Sequence, residues 1–153
     1  MNENEQRAAF VAEAQSWLGT PFRDQGDVRG KNGAVDCAML LVRCAVDTGL
    51  VPPLDPRPYP PQWHLHRDEE RFLAIVSGFG REVQRAPLPG DVIVWRVGRC
   101  FAHGGIVIEN NQVIHAYYKT KHVALSALNE VELAFLPGGR PRPFKLFDLW
   151  AYK

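Results

Sequence analysis

Three side chains in this sequence could together perform nucleophilic chemistry, namely Cys37, His103 and His115. Asp36 is a plausible N-cap for a helix over 37–48, which places Cys37 in the first turn. Unpaired amides and the helix dipole favour a thiolate there, and the Cys37 N–H is placed to stabilise an oxyanion. An imidazole beside such a thiol acts as its base, and a third polar group orients the imidazole. We therefore predict Cys37 as nucleophile, His103 as base and His115 as the orienting residue.

The role of His115 depends on the hairpin that joins its strand to the strand of His103. Side chains alternate between the two faces of a strand, so the loop length decides which face each histidine occupies. A two-residue turn at Asn110-Asn111 would place the two rings on opposite faces. The two histidines lie directly opposite each other only if the loop is wider and centred near Glu109, or if one strand contains a bulge. We predict the wider loop.

Metal binding is the other chemistry open to these residue types. The candidate ligands are Cys37, Cys100, His103 and His115, with His64 and His66 as a second pair. No close Cys-x-x-Cys pair is present, and the 64–66 pair lies beside a proline run, so we predict no metal and no cofactor. Cys44 is predicted to be packing, and Cys100 to point away from His103 because it lies three residues earlier on the same strand.

The first half of the chain shows helical periodicity and the second half strand periodicity. Helices are predicted over 7–18, 37–48 and about 66–77. A loop at 20–35 separates the first two helices, and an extended surface proline run at 52–61 separates the second from the third. Strands are predicted at 92–97, 101–108, 112–118 and 144–152. Helices followed by an antiparallel sheet indicate an α+β fold.

Length and composition limit the class of protein. The 153 residues are 46% hydrophobic and 23% charged, as expected for one globular domain over 1–153. The net charge of +1, without a basic run, makes nucleic acid an unexpected partner. No apolar stretch is long enough for a membrane span, and the polar start is not a secretory signal. We expect synthesis in the cytoplasm.

Several short motifs, in order, resemble the NlpC/P60 cysteine peptidases from about residue 8 to residue 118. These motifs are Trp17-Leu18-Gly19-Thr20-Pro21-Phe22, Val35-Asp36-Cys37-Ala38, Pro89-Gly90-Asp91-Val92, His103-Gly104-Gly105-Ile106-Val107 and Val113-Ile114-His115-Ala116. The resemblance implies a papain-like fold and a Cys-His-polar triad. It also implies cleavage of peptide bonds in peptidoglycan stems, so that the expected partner is a stem peptide.

Two positions depart from that family's usual pattern. Phe22 stands where the family usually has Tyr and cannot donate a hydrogen bond, and Ala38 replaces the serine that usually follows the cysteine. Similar replacements are familiar from the phage-tail branch, so we expect a protein associated with a tail or virion. Phe22, Ala38 and Asp36 are the predicted substrate-binding residues; Asp36 would bind an amino group or act only as the helix cap.

Two further hypotheses remain open on the sequence alone. The first is a structural phage-tail module that keeps the fold with little or no hydrolase activity. The second is an acyltransferase, which would use the same thiolate chemistry. The related lipid-acting enzymes place the histidine before the cysteine, whereas Cys37 precedes His103 here, and this order favours hydrolysis.

Overall fold

Helices precede an antiparallel sheet along the chain in the computed structural model, which describes residues 2–59 and 70–149. The helices are α1 (Glu3–Gln15), α2 (Cys37–Asp47), α3 (Arg71–Phe79) and α4 (Val131–Ala134). The strands are β1 (Asp27–Val28), β2 (Ala34–Val35), β3 (Arg81–Val83), β4 (Val92–Val97), β5 (Cys100–Ile108), β6 (Gln112–Tyr117), β7 (His122–Ala127) and β8 (Phe144–Asp148). The predicted α+β class is confirmed.

Helix α1 lies earlier in the chain than the predicted range of 7–18. The side chain of Asn2 accepts a hydrogen bond of 2.9 Å from the Glu5 N–H and so begins the helix. The helix ends before Trp17, which is still buried in the following turn, whereas Leu18 is 43% exposed. The predicted end of this helix at residue 18 was therefore wrong, and so was the expected burial of Leu18.

Helix α2 matches its predicted range of 37–48 except at Thr48, which is its C-cap. The Asp36 side chain accepts a hydrogen bond from the Met39 N–H, as an N-cap does. Gly49 follows with φ +74°, a left-handed conformation that suits glycine and ends the helix. Nearly every residue of α2 is buried, as its uniformly apolar sequence predicts.

The segment between α2 and the sheet is only partly as predicted. Residues 52–59 form neither helix nor strand and are mostly exposed, as expected for the proline run. The third helix was predicted at about 66–77 but runs to Phe79, and 60–69 lie outside the described residues. This helix was predicted to bury Phe72, Leu73 and Val76; Phe72 and Val76 are each 1% exposed, whereas Leu73 is only partly buried.

The described residues form one six-stranded antiparallel sheet in the order β3-β8-β4-β5-β6-β7, with β1 and β2 as a separate hairpin. Strand β4 has its predicted bounds, and the bounds of β5 and β6 differ by one residue from 101–108 and 112–118. Strands β3 and β7, the two edges of the sheet, were not predicted. Two apolar clusters, one between helices and sheet and one on the opposite face, bury both sides of the sheet.

The Pro89-Gly90-Asp91 motif fastens α1 to the sheet through a buried carboxylate. Asp91 is 0% exposed and accepts from Arg7 Nη1 at 2.9 Å and from Arg85 Nη1 at 2.6 Å. The Leu88 N–H donates to the same carboxylate at 2.8 Å. Asp91 therefore has a structural role in the described fold.

Replacing Asp91 with alanine should destabilise the fold by about 3 kcal/mol, because two guanidinium groups would lose a buried partner. Urea denaturation of the parent and of Asp91→Ala would measure this. Asp47→Ala is the matched control, since its pair with Arg43 is a partly exposed i,i+4 contact and its loss should cost less than about 0.5 kcal/mol. Equal losses in the two variants would contradict the structural role of Asp91.

Candidate active site

The hairpin between β5 and β6 places His103 and His115 on one face of the sheet. Ile108 pairs with Gln112, which leaves a three-residue loop centred on Asn110. The tight two-residue turn is thus absent, although the centre lies one residue beyond the predicted Glu109. In this register His115 is a diagonal neighbour of His103 rather than its direct partner, and diagonal side chains of this size can still touch.

The two imidazoles form a hydrogen-bonded chain that ends on β7. His103 Nε2 lies 2.8 Å from His115 Nδ1, and His115 Nε2 lies 2.8 Å from Ser126 Oγ. His115 is 0% exposed, so these contacts replace water at both of its ring nitrogens. With Nε2 of His103 engaged, Nδ1 is the nitrogen of that ring left for another partner.

Aromatic rings hold the imidazole pair in place. The Trp95 ring stacks on His103 with centroids 5.5 Å apart and planes 18° from parallel. Tyr117 lies 5.0 Å from the centroid of each imidazole. These contacts restrict the rotation of both histidine rings in a water-poor environment.

Cys37 meets β5 where that strand separates from β6. Strand β5 pairs with β6 only from Ile106 to Ile108, and Cys37 contacts the backbone of β5 beyond that pairing. The Cys37 Sγ lies 3.8 Å from the Ala102 carbonyl oxygen, and the Gly104 N–H donates to the same sulfur. The thiol is 6% exposed and therefore lies at the boundary of the core.

One cavity of about 270 Å³ exposes both Cys37 and His103. Its lining consists of Phe22, Asp24, Cys37, Trp95, Val97, Ala102, His103, Ala116, Tyr117, Tyr118, Lys119, Glu132, Leu133 and Arg142. The thiol and the imidazole predicted to react together thus share one surface, reached from β5, β6, α2 and α4. His115 lies behind His103 and does not line the cavity.

Burial keeps the reactive groups uncharged. It raises the pKa of the Cys37 thiol well above its ordinary value, and the neighbouring Asp36 carboxylate raises that pKa further. The amides of Gly104, Ala38 and Cys37 act in the opposite direction but do not outweigh burial. The lowering expected at the start of a helix is therefore not observed.

The pKa values of both histidines fall for the same reason. Burial lowers the pKa of His115 to about 4. For His103, burial first, then His115 and then Arg142 lower the pKa well below the usual 6.5. Near neutral pH the resting site consequently holds a thiol and two neutral imidazoles.

Asp36 uses both carboxylate oxygens inside the protein. Oδ1 accepts from the Met39 N–H at 2.8 Å, and Oδ2 accepts from the Gln25 N–H at 2.7 Å and the Tyr59 hydroxyl at 2.6 Å. The side chain is 3% exposed, and burial raises its pKa despite these donors. Asp36 does not line the cavity, and its contacts are those of a helix cap that also holds the preceding loop.

The other two predicted substrate-binding residues occupy different environments. Ala38 is 2% exposed and belongs to the core; its N–H donates to the Cys37 sulfur. Phe22 lines the cavity from the segment 20–35, which was predicted as a loop but contains β1 and β2. The Phe22 backbone forms a parallel bridge with Val35, and this contact holds the residue at the cavity.

Ser126 was missed by the sequence reasoning because β7 was missed. The segment His122–Ala127 alternates only weakly in burial, with Leu125 exposed on the edge of the sheet. A strand of that length opposite β6 would have placed a hydroxyl behind the second histidine. In the structure, the pairing of Val113 with Ser126 brings this hydroxyl next to His115.

The remaining candidate ligands do not assemble. Cys44 and Cys100 are buried in the core and do not line the cavity. Within residues 2–59 and 70–149 no group of three or more His, Cys, Asp or Glu side chains could hold a metal ion. His64 and His66 lie outside the described residues. No helix of the described chain has both the length and the apolar content to cross a membrane.

Comparison with known proteins relates the chain to one family. The family model described as NlpC/P60 matches residues 19–134. The fold is similar to the P60 domain of an antigen from M. avium subspecies paratuberculosis, with 18% identity, a TM-score of 0.61 and coverage of 95% of this chain and 96% of that one. No curated protein matches the sequence.

Two similar structures are described as peptidoglycan hydrolases. The NlpC/p60 domain of SagA shares 20% identity and covers 92% of this chain and 97% of its own, with a TM-score of 0.58. RipB from Mycobacterium tuberculosis shares 18% identity and covers 95% of this chain and 65% of its own, with a TM-score of 0.56. At such identities the likeness shows the fold, which is the papain-like NlpC/P60 fold.

The lowered pKa values predict that His115 remains neutral at pH 5.5, where an unperturbed histidine is mostly protonated, and that the pKa of His103 also lies well below its usual value. Nitrogen-15 NMR of the imidazole rings over pH 4–8 would show this directly. The His115 titration should centre near pH 4. Protonation of either ring with a midpoint at or above 6.5 would contradict the dry, buried site.

Proposed function

The chain belongs to the NlpC/P60 family, and we propose on that basis that it is a cysteine peptidase that hydrolyses peptide bonds of bacterial peptidoglycan. The observation that carries the proposal is the shared cavity, onto which the Cys37 thiol and the His103 imidazole both open. His115 supports the imidazole from behind at 2.8 Å. The descriptions of SagA and RipB as peptidoglycan hydrolases favour the same substrate class.

In the proposed reaction, His103 Nδ1 takes the thiol proton while the Cys37 sulfur attacks the substrate carbonyl. The base must be unprotonated at the start, and the lowered pKa of His103 provides that state. For this step we assign the tautomers in which Nε2–H of His103 donates to His115 Nδ1 and Nε2–H of His115 donates to Ser126 Oγ. This order of donors leaves Nδ1 of His103 free to accept the proton.

The charge that develops on the substrate oxygen needs a donor in the cavity. We assign this role to the Cys37 N–H, which lies in the first turn of α2 and has no partner within the helix. The protonated His103 then gives its proton to the leaving amine, and the acyl group remains on sulfur as a thioester. Water, deprotonated by the same imidazole, releases the acyl group and restores the thiol.

The association with a phage-like tail is the finer part of the proposal. It is supported by Phe22 and Ala38, the two positions that differ from the usual family pattern. Phe22 lines the cavity without a hydroxyl to offer. A purified protein that failed to hydrolyse peptidoglycan would favour the alternative, a structural tail module with the same fold.

Cys37→Ala should reduce hydrolysis of purified peptidoglycan on the order of 10³-fold or more, because the nucleophile is lost. Release of soluble peptides, followed by mass spectrometry, measures the activity. Cys44→Ala is the matched control, since this cysteine lies on the same helix, is also buried and does not line the cavity. A Cys37→Ala variant as active as the parent would exclude Cys37 as the nucleophile.

The pH dependence of kcat/KM should reflect the lowered pKa of His103. A base with a lowered pKa stays unprotonated as the pH falls through 6.5, so activity should persist there and decline only at more acidic pH. Initial rates on a soluble stem peptide between pH 4 and 8 would test this. Loss of half the activity at pH 6.5 or above would indicate a solvated base instead.

A further inference from the structure

Four charged side chains line the cavity, and they are not equally neutralised: Asp24, Lys119, Glu132 and Arg142. The Lys119 Nζ lies 3.8 Å from Glu132 Oε2, so these two charges partly cancel. Within the described part of the chain, no carboxylate lies within 4.0 Å of the Arg142 guanidinium. Arg142 is thus a cavity cation without an anionic partner among those residues.

The Arg142 guanidinium is held rigidly by main-chain carbonyls. Nη1 donates to the Arg96 oxygen at 2.8 Å, and Nη2 donates to the Glu132 oxygen at 3.1 Å and the Phe135 oxygen at 3.4 Å. These acceptors orient the group but carry no net charge. A guanidinium has five N–H donors, so donors remain for a ligand in the cavity.

The sign of the charge differs between the two walls of the cavity. Asp24 belongs to the segment before α2, and its charge acts on Asp36 at the start of that helix. Arg142 belongs to the segment between α4 and β8, and its charge acts on His103. An anionic substrate group is therefore favoured on the His103 side and disfavoured on the Asp24 side.

We propose that Arg142 binds a carboxylate of the peptide substrate next to the bond that is cut. The inference rests on the proposed function, because it places the ligand in the cavity shared by Cys37 and His103. A guanidinium forms strong charge-assisted hydrogen bonds to a carboxylate, so the donors that the main-chain carbonyls leave free can hold the ligand at a defined position. A stem peptide offers carboxylates on its D-glutamyl residue and at its C-terminus.

Binding of a carboxylate to Arg142 should also favour the chemical step. After burial and His115, Arg142 is the third cause that lowers the pKa of His103. A bound carboxylate offsets that charge, so the imidazolium formed when Cys37 gives up its proton becomes more favourable. Loss of the carboxylate should therefore lower kcat as well as raise KM.

The binding test uses the Cys37→Ala protein and isothermal titration calorimetry, so that no turnover occurs. The probes are L-Ala-γ-D-Glu-L-Lys, the same peptide with the D-glutamyl α-carboxyl amidated, and the same peptide with the C-terminal carboxyl amidated. Amidation of the recognised carboxylate should raise Kd roughly 10- to 100-fold, as expected for the loss of a charge-assisted hydrogen bond. Changes below about twofold for both amidated peptides would overturn the inference.

Variants at two arginines of one segment separate recognition from a purely structural role. Arg142→Gln, made in the Cys37→Ala background, should bring the Kd ratio between amidated and free peptide close to 1, and Arg142→Lys should keep part of it. Arg140→Gln is the matched control, because Arg140 is exposed in the same segment and does not line the cavity. If Arg142 had only a structural role, its replacement would weaken the binding of both peptides equally. An unchanged Kd ratio in Arg142→Gln would therefore overturn the inference.

The same measurements separate this inference from the proposed function. A carboxylate preference in Cys37→Ala, together with no hydrolysis by the parent protein, would support the Arg142 subsite and contradict the peptidase. Hydrolysis by the parent with no carboxylate preference would support the peptidase and contradict the subsite.

Discussion

The site depends on how closely β5 can approach its neighbours at His103. A Cβ on Gly104 would lie 2.8 Å from the Phe72 ring of α3, and a Cβ on Gly105 would lie 2.7 Å from the Val113 side chain of β6. Both distances are shorter than real Cβ contacts, so a side chain at either position would force its neighbours to shift. These two close contacts hold β5 between α3 and β6, and they thereby fix the position of the His103 imidazole.

The buried polar chain behind the imidazole explains why the resting site is uncharged. Each ring nitrogen of His115 has a protein partner, at 2.8 Å in both cases, so the ring is satisfied without water or charge. Low polarity around the pair disfavours an imidazolium, and the same burial disfavours a thiolate at Cys37. Charge separation in the proposed reaction must therefore be assisted by groups that arrive with the substrate.

Elements with strong local signals could be predicted from the sequence, whereas elements that depend on pairing between distant strands could not. Asp36 before an apolar run predicts the start of α2 correctly, because capping is a local interaction. The hairpin register is harder, since its centre at Asn110 depends on left-handed conformations at Asn110 and Asn111. Strand β7 carries little hydrophobic periodicity and exists through pairing with β6, so Ser126 could not be placed beside His115 beforehand.

Asp36 illustrates how a residue next to a nucleophile can oppose the thiolate and still favour the site. Its charge raises the pKa of the Cys37 thiol. Its carboxylate also holds the Gln25 amide and the Tyr59 hydroxyl, at 2.7 and 2.6 Å. Gln25 follows directly after the segment that brings Phe22 and Asp24 to the cavity, so the wall facing the imidazole depends on this carboxylate. The same Asp36 carboxylate thus raises the pKa of the Cys37 thiol and holds the segment that forms one wall of the cavity.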